Sequence, residues 1–367
     1  MNFQQPRLFS VLMPAYNAQP FIGQSIESVV SQSYPHWELI VVNDGSTDNT
    51  AGILSKYNDP RIIILNQENA GESAARNTAL SQANGVFIAF LDADDEYLPN
   101  HLEDTVAFFE NNPQYSGVYT DGYYIDTKGN RLQTLASRRR GPYSGDIFEQ
   151  VVYSSNVFGP PACVVLNHDV IKKHDLRFDE NIVIGPDWDF LTQYAEIAPF
   201  GYVDNPTVLY RIHTYNISTQ LDPAKRAYEL AKCRRKAINM ERFNECSLHT
   251  RQWVFHDLLV NLLQDHPLEQ MVVINSSVFG VLPKKSQARI LRFMASSTML
   301  FGESLDYIPN WLQMSRDLNP ADWRSQILLF TYSLNPNLCR SILRMLKASQ
   351  VDPVQIPPFI DVNITQG

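Results

Sequence analysis

Val86-Phe87-Ile88-Ala89-Phe90-Leu91-Asp92-Ala93-Asp94-Asp95 is an apolar run that ends in three carboxylates within four positions. A short apolar run bounded by polar residues reads as a strand buried on both faces, the kind a parallel sheet uses. Like charges packed so closely repel one another unless a cation or solvent offsets them. At a strand end facing a crevice they suit a hard divalent cation shared with substrate phosphates. The plainer alternative is a solvated acidic turn capping a helix that begins near Pro99. Asp-x-Asp alone is too common to decide between them, and the apolar strand in front of it favours the cation.

The sequence upstream repeats the pattern. Phe9–Met13 is an apolar run closed by Pro14, and Pro20–Gln32 carries Phe21, Ile22, Ile26, Val29 and Val30 at helical spacing. Trp37–Val42 is a second strand, stopped by the turn residues Asn43-Asp44-Gly45-Ser46. A helix over Thr50–Lys56, a strand over Arg61–Leu65 and a helix over Ser73–Gln82 complete the series. Strand and helix in alternation predict parallel strands with helical crossovers, whose ligand sites lie beyond the C-terminal strand ends. Further strands are expected at Gly117–Tyr124, Ala162–Leu166 and Val208–Arg211. Beyond Pro223 the pattern becomes helical, over Ala224–Phe243, Thr250–Gln264, Ser286–Met299 and Trp323–Lys347. We therefore place domains at 1–220 and 221–350, followed by an extended Pro-rich tail at 351–367.

Composition narrows the function. A chain of 367 residues, 44% of them hydrophobic, can bury a full core. Its net charge of −9 argues against a nucleic-acid binder. Residues 1–218 hold 13 Lys and Arg against 26 Asp and Glu, whereas residues 219–367 hold 17 against 13. An acidic front and a mildly basic back imply different partners. The four cysteines are too scattered for a zinc site or a redox pair and read as free thiols. Neither a leader peptide nor a membrane span is legible, so a soluble cytoplasmic protein is expected.

Four further clusters stand at strand or helix ends. Asp44, after the second strand, can accept from a ligand N–H at the sheet edge; Asn43, Ser46 and Asp48 suit a turn and helix cap. In Asn69–Asn77, Gly71 permits a sharp turn, and Arg76 can aim its fork of donors at an anion or base. In Gly185-Pro186-Asp187-Trp188-Asp189-Phe190, a tryptophan beside Asp187 can desolvate it toward a useful base, although an acidic helix cap fits equally well. In Tyr210-Arg211-Ile212-His213, alternation puts Arg211 and His213 on one strand face, spaced for a diphosphate or a metal. Arg138-Arg139-Arg140 reads as a mobile loop.

Pro14-Ala15-Tyr16-Asn17, Asn43–Asp48, Gly71 with Ala75-Arg76-Asn77, Leu91–Asp95, Asp187-Trp188-Asp189 and Tyr210–His213 occur in one order. Over about residues 8–218 the chain thereby resembles the family 2 glycosyltransferases of the GT-A fold. Each motif alone is weak, and six in register are specific. The resemblance implies an α/β fold with a nucleotide-binding, Rossmann-like mixed sheet flanked by helices, plus a C-terminal α-helical region. It implies an inverting transfer of sugar from a nucleotide-diphosphate sugar, UDP-linked, to an acceptor hydroxyl in surface polysaccharide or glycolipid synthesis. Substrate would be bound by Pro14, Ala15, Tyr16, Asp44, Arg76, Asp92, Trp188 and Arg211. Tyr16 would pack on the base and Asp44 would bond its N–H edge. Asp94 and His213 would hold Mn²⁺ or Mg²⁺, and Asp187 would be the general base. The family commonly has Glu-Asp where this chain has Pro186-Asp187.

Two rival functions stay open. A nucleotidyltransferase would show a Gly-rich phosphate loop after the first strand, which Pro14–Asn17 lacks. A catalytically silent nucleotide- or glycan-binding module is hinted at only by Pro186. The expected partners are a nucleotide-sugar donor and a saccharide or lipid-linked acceptor. Peripheral membrane contact is assigned to two basic sets in the C-terminal helices, Lys284-Lys285-Arg289-Arg292 and Arg340-Arg344-Lys347, for which an ordinary solvated face is the competing reading.

Overall fold

A computed structural model of the chain describes residues 7–213, 222–302 and 305–349. The first parallel strands are β1 (Phe9–Ala15), β2 (Trp37–Asp44), β3 (Ile62–Gln67) and β4 (Phe87–Phe90), connected by α1 (Ile22–Val30), α2 (Thr50–Leu54) and α3 (Glu72–Gln82). β1 lies between β2 and β4, with Leu12 level with both Ile40 and Phe90. Alternation along β1 explains the helical crossovers. Leu12, Ile40 and Phe90 bury against Ala75, Ala79 and Leu80 of α3 on one face. Val11, Met13, Leu39 and Val41 bury against Ile22, Ile26 and Val29 of α1 on the other. A sheet apolar on both faces must be covered on both.

The chain then adds β5 (Glu96–Tyr97), α4 (His101–Asn111), β6 (Gly117–Ile125), β7 (Arg131–Thr134), α5 (Phe148–Tyr153), β8 (Val164–Asn167), α6 (His168–Lys173), α7 (Pro186–Ile197) and β9 (Phe200–Arg211). The sheet runs β3-β2-β1-β4-β8-β6-β9-β5, with β7 paired to β6. β8 is antiparallel to β4 and β6, which makes the sheet mixed. Arg138–Arg140 is not the loose loop that the sequence leads one to expect. The side chain of Arg139 is 3% exposed, its Nη1 donating to the carbonyls of Thr120 (2.6 Å) and Phe158 (3.2 Å). Arg138 and Arg140 lie over the rings of Tyr124 and Tyr153.

The helices that follow are α8 (Pro223–Ala237), α9 (Leu248–His256), α10 (Pro267–Ile274), α11 (Ser277–Gly280), α12 (Lys284–Phe301), α13 (Ile308–Leu318), α14 (Trp323–Leu334) and α15 (Pro336–Ser349), with a π-helical stretch at Asp257–Leu262. Two expected helices divide. Thr250–Gln264 passes into that π-helical stretch, and Trp323–Lys347 breaks at Asn335. Pro336 cannot supply the N–H that a continuing helix needs, so it opens a new one. The compact units are Met1–Val254 and Phe255–Gly367. The first therefore takes in α8, past the boundary expected near 220. All four cysteines are free and buried. Among the described residues, no helix is long and apolar enough to cross a membrane. The expected tail at 351–367 lies outside the described residues.

Candidate active site

β1 ends in Pro14 and Ala15. Tyr16 follows with 53% of its surface exposed, so its ring is available for stacking. Beside it, Asn17 accepts from the N–H of Thr47 (2.8 Å) and donates its own N–H to Ser46 (3.0 Å). Asp48 accepts from the N–H of Gln19 (3.0 Å). Ser46 and Asp48 thus tie the two strand ends together, as turn residues do.

Asp44 closes β2 and is only 2% exposed. Its Oδ1 accepts from Gln67 Nε2 (2.7 Å) and Ala70 N (2.9 Å), and its Oδ2 accepts from Gly71 N (2.8 Å). A carboxylate has roughly four acceptor positions, so most of this one is engaged by the loop ahead of α3. Gly71 takes φ of 91°, a left-handed conformation that glycine adopts without strain, and α3 starts at the next residue.

Arg76, in α3, is buried between two acids. It pairs with Asp92 at 2.7 Å and with Glu72, one turn earlier, at 2.5 Å. Its Nε and Nη1 are buried without a hydrogen-bond partner. Burial together with the charges of Asp92, Asp187 and Asp94 pushes the Glu72 carboxyl up to about 7, against the lowering pull of Arg76. Burial likewise raises Asp92, opposed by Arg76 and reinforced by Asp94 and Asp187. Glu72 is a residue the sequence analysis passed over. Its spacing of i, i+4 from Arg76 is the signal that would have found it.

The three acids after β4 diverge rather than share a face. Asp92 turns to Arg76, and Asp94 Oδ2 meets His213 Nε2 at 2.8 Å. Asp95 points inward, fully buried, with Oδ1 accepting from the N–H of Arg211 (2.9 Å) and Oδ2 without a partner. Burial and the charges of Asp94 and Asp92 hold the Asp95 carboxyl well above the usual range, despite Arg211.

Arg211, expected at a diphosphate, is buried in the framework of this loop. Its Nε donates to the Asp94 carbonyl (2.9 Å), Nη1 to the Asp126 carbonyl (3.2 Å) and Nη2 to Gln24 (2.9 Å) and Glu96. Its guanidinium lies 4.7 Å from the Phe21 ring centroid, and Phe21 stacks on His213. Arg211 therefore fixes the loop that carries Asp94, and the N-terminal end of α1 braces it.

Among the described residues, no three His, Cys, Asp or Glu side chains are arranged to hold a metal. Asp94 and His213 meet at 2.8 Å. Magnesium commonly takes one or two carboxylates and completes its shell with water and substrate phosphates, so the Asp94 carboxylate fits a cation shared with a diphosphate.

Asp187 lies in the first turn of α7 and is half-buried, and the structure gives its carboxylate no hydrogen bond among the described residues. Its charge nonetheless acts on Glu72, Arg76 and Asp92. Gly185, with φ of 78°, and Pro186 at the first helical position start the helix, which gives Pro186 a structural purpose. Trp188, expected in the substrate-binding set, is instead a core residue. It is 6% exposed, its Nε1 donates to the Val151 carbonyl at 2.9 Å, and Arg234 lies over its ring. Asp189 is buried against Lys236 of α8 at 2.6 Å.

The model of glycosyl transferase family 2 matches residues 10–175. An uncharacterized glycosyltransferase of Methanocaldococcus jannaschii is 31% identical over 211 residues, covering 56% of this chain and 71% of that protein. A putative teichuronic acid biosynthesis glycosyltransferase of Bacillus subtilis is 46% identical over 104 residues, 28% of this chain and 41% of that one. An Escherichia coli UDP-Glc:alpha-D-GlcNAc-diphosphoundecaprenol beta-1,3-glucosyltransferase is 50% identical over 97 residues, 26% of this chain and 38% of that one. The chain thus spans about two fifths of these last two relatives. Among solved structures, S. aureus TarS 1–349 in complex with UDP-GlcNAc superposes with a TM-score of 0.58 at 18% identity, covering 93% of this chain and 92% of that one.

Proposed function

This chain belongs to glycosyl transferase family 2, and on that premise we propose that it moves a sugar from a nucleoside-diphosphate donor to an acceptor hydroxyl with inversion at the anomeric carbon. The observation that carries the reading is Asp187. It is a carboxylate on the first turn of a helix with no hydrogen bond among the described residues, set where its charge reaches the Arg76–Asp92 pair.

Asp187 removes the proton of the acceptor hydroxyl while that oxygen bonds to the anomeric carbon from the face opposite the leaving group. The bond from that carbon to the diphosphate oxygen breaks, and the nucleoside diphosphate leaves with the electron pair. Tyr16 offers its open ring to the base, and Arg76 and Asp92 bound the donor from the α3 side. A divalent cation, Mn²⁺ or Mg²⁺, would be held by Asp94 and His213 and would offset the negative charge of the diphosphate. Arg211 keeps the Asp94 carbonyl and the following turn in place for that arrangement.

A UDP-linked donor, and a saccharide or lipid-linked acceptor in cell-envelope polysaccharide synthesis, are supported by the similarity to the E. coli glucosyltransferase and the B. subtilis teichuronic acid glycosyltransferase. Location belongs to the same proposal: cytoplasmic, with acceptor met at the inner face of the plasma membrane. A positioned base contributes about 10²–10⁴-fold. Asp187→Asn should lose turnover by that factor while calorimetry finds donor affinity retained. Wild-type turnover in Asp187→Asn would remove the base assignment. Release of free sugar and nucleoside diphosphate from a panel of nucleotide sugars separates an enzyme from a silent binding module.

A further inference from the structure

The second compact unit carries an apolar stripe that no part of the described chain covers. Trp323, Ile327, Phe330 and Leu334 of α14 keep 48–66% of their surface exposed. At 100° per residue these positions fall within about 60° of one helix face, over a length of about 16 Å. Helix packing is satisfied elsewhere, because Ser325 and Leu328 are the buried residues of α14. Ser325 bonds Ser315 of α13 at 2.8 Å, and Leu328 offers its carbonyl to the Cys339 thiol of α15. The apolar exposure continues along the chain with Leu338 and Met345, two turns apart on α15 and 51% and 67% exposed.

Scattered exposed hydrophobics are ordinary, whereas aligned large ones mark an interaction surface. Charge identifies the partner. Trp323–Ser349 contains Arg324, Arg340, Arg344 and Lys347 and no Asp or Glu, in a chain whose net charge is −9. Arg324 is exposed beside the Trp323 ring, 5.4 Å from its centroid, and Arg344 is exposed on α15. Two copies meeting through this face would bring like charges together. A surface with anionic headgroups above an apolar interior satisfies both halves of the pattern, and tryptophan favours that boundary.

We infer that α14 and α15 form a membrane-docking face, with Trp323, Ile327, Phe330 and Leu334 entering the headgroup region of an anionic bilayer and the arginines holding the phosphates. The inference rests on the membrane-side location proposed above only for its biological setting, since docking is measured without any transfer reaction. The full chain is sedimented with phosphatidylglycerol vesicles and, separately, with phosphatidylcholine vesicles. It should pellet with the former and several-fold less with the latter. Phe330→Ser with Leu334→Ser should weaken binding by on the order of tenfold or more, with circular dichroism and thermal unfolding unchanged. Arg324→Glu with Arg344→Glu leaves the stripe intact and should erase the preference for phosphatidylglycerol.

Equal pelleting with both lipids overturns the inference, as does wild-type binding by the serine variant. So does a concentration-dependent dimer that the serine substitutions dissociate, which would assign the face to a second copy. Vesicle binding gained only when the chain is cut after Ser349 would assign it to residues 350–367 and overturn it equally.

Discussion

Arg76 is the residue on which the carboxylates of the candidate site depend. Its side chain is 1% exposed and lies between Glu72 and Asp92, with the charge of Asp187 also acting on it. Removing one partner of a buried ion pair leaves an uncompensated charge, at a cost of about 3–5 kcal/mol. Arg76→Ala should therefore lower the stability measured by urea unfolding by about that amount, and Arg76→Lys by less. An Arg76→Ala protein of wild-type stability would show that solvent, rather than Arg76, compensates Glu72 and Asp92. At this scale the sequence was half legible. Asp92, Asp94, His213 and Asp187 stand out as chemistry at strand and helix ends. That Asp95 turns inward, that Arg211 is enclosed by backbone carbonyls and that Trp188 belongs to the core depends on where distant segments return. Local spacing carries no record of those returns.

At the scale of elements, α8 holds α7 in place. Lys236 bridges Asp189 (2.6 Å) of α7 and Asp179 (3.0 Å), and Arg234 donates to the carbonyls of Val152 and Tyr153 while lying over Trp188. The Cys233 thiol faces the Gly185 carbonyl at 3.5 Å, at the point where α7 begins. Asp189 has its side chain 1% exposed, and its Oδ1 finds no partner. Lys236→Met should thus cost about 1.5–3 kcal/mol, the usual range for a hydrogen bond to a charged group. Double-mutant cycles with Asp189→Asn measure the coupling, and strictly additive losses would show that Lys236 and Asp189 do not act as a pair. Helical periodicity predicted α8 itself. Its membership of the first unit was not predicted, because a change from strand-rich to helix-rich sequence marks a change of pattern, not a boundary of contact. The break at Asn335-Pro336 is a local property of Pro336, which has no N–H to give a continuing helix.

For the whole molecule, the junction of α4 with the sheet predicts a pH response. His101 is fully buried, its Nδ1 2.8 Å from Thr207 Oγ1 of β9, its ring stacked 3.9 Å from that of Tyr97, and its Nε2 unpartnered. Burial pushes the imidazole down from 6.5 to about 3. Between those values the unfolded chain takes up a proton that the folded protein refuses. Stability from this group is complete above pH 6.5 and falls as pH drops toward 3, by up to about 1.4 kcal/mol per pH unit. The buried carboxyls of Asp92 and Asp95 titrate in the opposite sense. The difference between the wild type and His101→Leu therefore isolates the imidazole. That difference should shrink on acidification from pH 7 to pH 4, and a constant gap would mean that His101 is not held neutral. The sequence by itself determined that the first four strands run parallel, are covered by helices on both faces and carry acids at their ends. Alternating apolar residues and turn chemistry are local properties, and they fix which faces must be buried. Only the tertiary structure decided which of those acids stay open to a ligand. That choice depends on which arginine, histidine or backbone N–H arrives from elsewhere in the chain to claim each lone pair.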